Sequence, residues 1–310
     1  MKTKGNFTIC ATYQSFGVTI CAGAVMLIAS SAPAQNLFVD TAGSRITEIT
    51  TGGAQSTFAS GLSNPFGLAF NSAGNLFVAD NGSGNIYEYT TGGAQSTFAS
   101  GLSPYGLAFN STGNLFVADY EGGNIYEFTP GGVKSTFASG LSLPEGLAFN
   151  SAGDLFETDL GSENIYEFTP GGARSTFASG LYGTAGLAFN SAGDLFEADS
   201  DSGNIYEFTP DGVESTFASG LLTPTGLAFN SAGDLIVTSF FGHTIYEFTP
   251  SGAESTFASG LGAPTFLAFQ GEILPVPEPS ALGLVAVGAI ALLVRRISPL
   301  KSRRRTFVKL

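Results

Sequence analysis

The sequence predicts an all-β fold, a six-bladed β-propeller of four-stranded antiparallel blades, and three observations predict it. A Leu-Phe landmark (once Leu-Ile) recurs at Leu37, Leu76, Leu115, Leu155, Leu195 and Leu235, in steps of 39, 39, 40, 40 and 40 residues. Self-similarity at that period belongs to propellers and solenoids. Each copy reads as four short strands rich in aromatic and β-branched residues: Gly-Leu-Ala-Phe, then Asn-Leu-Phe-Val-Ala-Asp or Asp-Leu-Phe-Glu-Ala-Asp, then Asn-Ile-Tyr-Glu-Phe-Thr, then Ser-Thr-Phe-Ala-Ser. These runs are bounded by Gly, Pro, Asn and Asp. The third observation is the count of strands at the two ends, which complete one another.

In chain order, residues 1–34 read as a secretory signal: Lys2 and Lys4, an apolar run of 14 residues from Val18 to Ser31, and small residues at Ala32-Pro33-Ala34 with cleavage after Ala34. The run is short of the ~20 residues a membrane span needs. Cys10 and Cys21 both lie inside this segment, so the mature chain has no disulfide, no Cys ligand and no Cys nucleophile.

The propeller is expected over residues 35–270. The mature chain enters at a second strand (Leu37 to Asp40), continues through Ile46 to Thr50 and Ser56 to Ser60, and runs five complete blades starting at Gly67, Gly106, Gly146, Gly186 and Gly226. It ends on a lone first strand, Phe266 to Phe269. Three strands from one end and one from the other build the sixth blade, which leaves no open sheet edge at the seam. Asn-Ser-Ala-Gly between strands one and two, and Pro-Gly-Gly or its variants between three and four, supply turns that tolerate positive φ.

Charge is divided sharply. Of 12 Lys and Arg, only Arg45, Lys134 and Arg174 lie in the repeats, against 23 of the 25 acids, so the array carries a net charge of −20. Binding nucleic acid or anionic lipid depends on neutralising phosphates with bases, so both are excluded as partners of the array.

The run Pro-x-Gly-Leu-Ala-Phe-Asn-Ser-x-Gly-Asn-Leu-Phe-Val-Ala-Asp followed by Asn-Ile-Tyr-Glu-Phe resembles the NHL-type propeller repeat, and is similar to repeats of gluconolactonase-like and virginiamycin B lyase-like propellers. The resemblance covers residues 36–270 and implies the fold; propellers host many unrelated activities.

Comparison among the copies finds two variable loops. One precedes strand one (64–66, 103–105, 143–145, 183–185, 223–225, 263–265) and the other joins strands two and three (81–84, 120–123, 160–163, 200–203, 240–243). In an up-and-down sheet both lie on one rim. Phe66, Tyr105, Tyr120, Glu121, Glu145, Tyr182, Phe240, Phe241 and His243 are therefore the candidate ligand-binding residues around the channel mouth, where aromatics beside carboxylates suit a sugar or an apolar ligand. Drift in exposed loops is the competing reading.

No catalytic residue is assigned. The gluconolactonase resemblance implies a divalent metal held by a Glu, an Asn and an Asp, the Asn just before the Gly-Leu of a first strand; here those positions are Phe66, Tyr105, Glu145, Ala185, Thr225 and Thr265. One carboxylate without a partner does not hold a metal, so no metal ligand and no cofactor are expected, with a divalent cation at the channel mouth as the alternative. The lyase resemblance implies a His base, and the single His, His243, sits in a loop without a supporting group. Asp40, Asp80, Asp119, Asp159 and Asp199, with Ser239 in the sixth place, are read as structural, bonding nearby amides. Asp199 to Asn204 resembles a calcium loop without its later bidentate Glu, and Glu88, Glu127, Glu167, Glu207 and Glu247 are expected to be solvated.

Residues 271–280 read as a linker ending in Pro277-Glu278-Pro279, 281–294 as a hydrophobic helix of 14 residues, and 295–310 as a basic cytoplasmic tail with Arg295, Arg296 and Arg303 to Arg305. Their order closely resembles a PEP-CTERM sorting signal. That implies a bacterial exported protein, an exosortase-type membrane protease as partner, transient membrane insertion through the helix, and delivery to the cell surface or exopolysaccharide matrix. The helix spans only ~21 Å against a ~30 Å hydrocarbon core, and arginine flanks stay cytoplasmic. The sequence thus points to a surface or matrix propeller that binds exopolysaccharide or another surface protein, the alternative being a metal-dependent lactonase-like hydrolase or lyase.

Overall fold

A computed structural model describes residues 35–41 and 44–271. The expected signal segment, the residues of the expected linker beyond Gly271, the apolar run and the basic tail lie outside the described residues. Among the described residues no helix is long and apolar enough to cross a membrane.

Six four-stranded antiparallel sheets make up the array. Blades 1 to 5 occupy 65–100, 104–139, 144–179, 184–218 and 224–259, and the closing blade combines 267–269 with 37–41, 45–49 and 55–60 in that order. The seam pairs Leu37 with Phe269, Phe38 with Ala268 and Val39 with Leu267. The Gln270 amide also donates to the Asn36 carbonyl at 2.9 Å. Successive first strands touch from blade 1 to blade 5, then the closing blade, then blade 1 again, so the ring is complete. First strands begin two residues earlier than expected in blades 1 to 5, at Pro65 for example, while the closing blade's starts one later, at Leu267.

Each second strand is buried on both faces because a blade packs between two others: Leu76 and Val78 face the closing blade, Phe77 and Ala79 face blade 2. Six apolar clusters result, one per interface between blades. In five of them the second-strand Phe sits edge-on between two other rings, as Phe77 does between Phe98 at 5.0 Å and Phe109 at 5.1 Å. Edge-to-face pairs add about 0.5–1.5 kcal/mol beyond their buried area. The copy that reads Leu-Ile has Ile236 at this place.

The first strands crowd backbone against backbone. A Cβ on Gly67, Gly106, Gly146, Gly186 or Gly226 would overlap the carbonyl oxygen of the residue at the mouth position of the next blade, from Tyr105 round to Thr265. Glycine is required there by close approach. The sixth copy has Phe266 instead, and its first strand is paired over only three residues, 267–269.

The third-strand glutamates correct the expectation of solvation. Glu88 and Glu127 are half-buried and accept amide hydrogen bonds of 2.7–2.8 Å from Asn75 and Asn114 in the turn beside them, as Glu48, which lies outside that expectation, does from Asn36. In blades 3, 4 and 5 that Asn is replaced by Asp154, Asp194 and Asp234.

Candidate functional site

The two variable loops share one rim, tied to one another within each blade: the Gly82 amide donates to the Ser63 carbonyl at 2.7 Å, Tyr120 to Ser103 at 2.9 Å and Phe240 to Thr223 at 2.9 Å. Inside that rim, at the channel mouth, lies a cavity of about 630 Å³. All six positions that precede the glycine place of the first strand line it: Phe66, Tyr105, Glu145, Ala185, Thr225 and Thr265. Phe240, Phe241, Asp40 and Phe266 join them.

The mouth is lopsided. On the side of blades 1 and 2, Phe66 stacks on Tyr105 with centroids 4.1 Å apart, and Tyr105 on Tyr120 at 5.0 Å. Phe266 meets the stack edge-on, 5.6 Å from Tyr105 and 6.4 Å from Phe66. On the blade 5 side, Phe240 and Phe241 are perpendicular at 4.9 Å. Residue type explains the asymmetry: small Ala185 and Thr225 occupy the places that Phe66 and Tyr105 fill opposite them.

Two carboxyl groups are sunk into this wall. Glu145 is 7% exposed, and burial pushes its carboxyl up to about 8 against the stabilising Tyr105 hydroxyl. Asp40 is 3% exposed and is pushed up to about 8 by burial, although it accepts hydrogen bonds from the Thr265 hydroxyl and, at 2.6 Å, from the Phe266 amide. Burial, followed by the nearby Glu145, Tyr120 and Asp40 charges, raises the Tyr105 phenol. Among the described residues no Lys or Arg lines the cavity.

The other second-strand aspartates do bond local amides: Asp80 accepts from Ser63, Asp119 from Ser103, Asp159 from Ser142 and Asp199 from Tyr182, at 2.6–3.0 Å. Asp40 departs from them. The seam brings Thr265 and Phe266 to it, and it turns to the cavity.

Of the rim residues singled out from sequence, Phe66, Tyr105, Glu145, Phe240 and Phe241 line the cavity, with Tyr120 stacked behind Tyr105. The rest stand apart from it. Glu121 is exposed, with the Ser103 hydroxyl at 3.4 Å. Tyr182 is 62% exposed, and exposed His243 accepts the Ala263 amide on Nδ1 at 3.1 Å, which fastens a loop. Sequence reasoning did not single out Asp40 and Phe266 for the mouth. The available signal for Phe266 was that every other copy has Gly at its place.

Glu157 and Glu197 were missed as well. They stand where the other copies have Val39, Val78, Val117 and Val237, are wholly buried, and leave both carboxyl oxygens unpaired.

A divalent metal, implied by the lactonase resemblance, does not fit these residues. Among the described residues no group of three His, Cys, Asp or Glu side chains is placed to hold one. Asp40 already accepts from the Thr265 hydroxyl and the Phe266 amide and Glu145 from the Tyr105 hydroxyl, so the two carboxyls are engaged by the protein and not gathered around an ion that takes six to eight oxygen ligands.

Residues 275–297 match the PEP-CTERM protein-sorting motif. The chain is a six-bladed propeller that carries a signal for export and exosortase-mediated sorting. No curated protein matches it. Similar solved structures include the nidogen/laminin complex (TM-score 0.70, 20% identity, covering 76% of this chain and 98% of that one). Others are a streptogramin B lyase (0.64, 16%, 78% and 88%) and a gluconolactonase from Xanthomonas campestris (0.60, 20%, 66% and 79%). At these identities the likeness carries the fold alone.

Proposed function

We propose that this chain is a surface or matrix binding module: a propeller, freed of residues 1–34 on export, whose channel-mouth cavity holds a ligand in the exopolysaccharide or on another surface protein. The observation that carries the reading is the mouth cavity itself. It is built from the positions at which otherwise near-identical copies differ, and it collects stacked aromatics beside two sunken carboxyls. A cavity of about 630 Å³ falls in the range of small-ligand sites.

The exit of the tail supports the same reading. Phe269 and Gln270 lie at the end of the first strand away from the mouth, beside Asn36. Cleavage near Pro277-Glu278-Pro279 would release the propeller from its constant face, leaving Arg295, Arg296 and the basic end behind.

Mass spectrometry of the protein from its native host tests the sorting half: a C-terminus near Pro279 is expected, and an intact chain through Leu310 overturns it. Sedimentation with purified host exopolysaccharide tests the binding half, with loss of binding expected for Tyr105→Ala. Lactone hydrolysis that requires a divalent ion and is lost on Glu145→Gln would replace this reading with the hydrolase one.

A further inference from the structure

The mouth cavity has a chemical bias that its shape alone does not express. Asp40 and Glu145 are both more than nine-tenths buried in its wall, and among the described residues no Lys or Arg lines it to balance them. Beyond the wall, the array supplies three bases against 23 acids. A buried carboxylate without a counter-ion is costly, and a cleft in a strongly acidic surface focuses negative potential on whatever enters. The remaining walls include Phe66, Phe266 and Phe240, whose ring faces carry partial negative charge, and Tyr105, whose two faces are covered by Phe66 and Tyr120.

Three ligand classes meet this wall differently. An anion meets an acidic array and the negative ring faces, and as the pH passes about 8 it is repelled by both carboxylates as well. A hard divalent ion takes six to eight oxygen ligands, and the two carboxyls here already accept hydrogen bonds from Thr265, Phe266 and Tyr105. An organic ammonium ion, weakly hydrated and with an apolar body, gains from rings and carboxylates together.

We propose that the cavity binds an organic ammonium ion, its charge held between the Asp40 and Glu145 carboxylates and its carbon skeleton against Phe66, Tyr105, Phe266 and Phe240. This rests on the cavity being the binding site. The ammonium can belong to an amino sugar of a deacetylated polysaccharide or to a free amine; the chemistry recognised is the same. Phe266 is the residue that sets the site. It replaces the glycine required in the other five first strands and projects a ring against Phe66 and Tyr105, and its own amide holds Asp40 at the wall.

Binding requires the carboxylates to ionise, so protons leave as the cation enters. With both groups titrating at about 8 in the free protein, a permanently charged ligand binds more tightly as pH rises from 6 to 9. The gain approaches about tenfold per carboxyl between pH 7 and 9.

Isothermal titration of the purified protein with tetramethylammonium, spermidine, glucosamine trimer, N-acetylglucosamine trimer and calcium provides the test. Expected are binding of the amines, preference for the glucosamine trimer over its N-acetylated form, the stated pH trend for tetramethylammonium, and at least tenfold weaker binding in Glu145→Gln with thermal stability retained. A glucosamine trimer bound much more tightly than tetramethylammonium or spermidine assigns the source to polysaccharide; the reverse order assigns it to free amines. Equal or better binding of the N-acetylated trimer, no pH trend, or micromolar calcium that competes with the amine overturns the proposal. If the N-acetylated trimer binds without any amine preference, and Tyr105→Ala abolishes it, the ammonium reading fails while the cavity stands. If neither these probes nor host polysaccharide bind, both fail.

Discussion

Replacing Glu157 by Val should stabilise the propeller, and by an amount that depends on pH. The Glu157 side chain faces blade 2, since its cross-strand partner Leu147 packs in the cluster between blades 2 and 3. It is wholly buried with both oxygens unpaired. Burial, with the Asp159 and Glu145 charges adding to it and Arg174 opposing, pushes its carboxyl from 4.5 up to about 9. A folded-state pKa above the unfolded one means the native state binds the extra proton. Stability is therefore highest below pH 4.5 and falls as pH rises through 9. Each pH unit within that window costs about 1.4 kcal/mol, so ionisation of the unfolded carboxyl removes about 3 kcal/mol by pH 7. Glu157→Val removes the titration and restores the residue that four other copies carry. Glu157→Gln removes the titration while keeping the volume. Urea unfolding at pH 5 and pH 8.5 measures both: wild type should lose several kcal/mol between the two, and each variant distinctly less. An unchanged pH slope in both variants, or a Val variant less stable than wild type at pH 8.5, would refute the burial argument.

Gly106→Ala should cost at least about 2 kcal/mol, because its Cβ overlaps the Glu145 carbonyl and both partners are backbone. Gly131→Ala, whose nearest neighbour is the Thr129 hydroxyl at 3.9 Å, should stay within about 0.5 kcal/mol, and thermal denaturation compares the two. Thr238→Val should cost about 2–4 kcal/mol by denaturant unfolding. Its hydroxyl accepts the Gly226 amide at 2.7 Å and donates to the Thr265 carbonyl, so the change strands both. Asp194→Asn should stabilise by about 0.5–1.5 kcal/mol at pH 7, giving Glu207 the amide partner that Glu88 and Glu127 have. Burial and then the Asp194 charge hold the Glu207 carboxyl above its usual range, so this gain should vanish near pH 3, where the glutamate is protonated. A gain that persists there would show that the charge of Asp194 is not the cause.

The fold was legible because repetition amplifies weak signals. One four-residue run such as Gly-Leu-Ala-Phe says little, whereas six copies at a near-constant period with complementary ends admit one closed ring. The rim was legible too, since positions 66, 105 and 145 differ while their neighbours do not. What sequence comparison lacked was depth and direction. Glu157 and Glu197 carried no mark in the sequence as buried acids, because that depends on both faces of the second strand being covered by neighbouring blades. Glu88 and Glu127 read as solvated until Asn75 and Asn114 were found beside them.

By itself the sequence determined the blade count, the strand that closes the ring, the rim that carries variation and the sorting signal, because periodicity and motif order are properties of the chain. Only the tertiary structure decided that Asp40 belongs to the mouth and not to its own turn, and that Phe266 fills it. Both follow from the seam, where residues 225 and 226 positions apart are brought together and the backbone crowding that demands glycine elsewhere gives way to a phenyl ring.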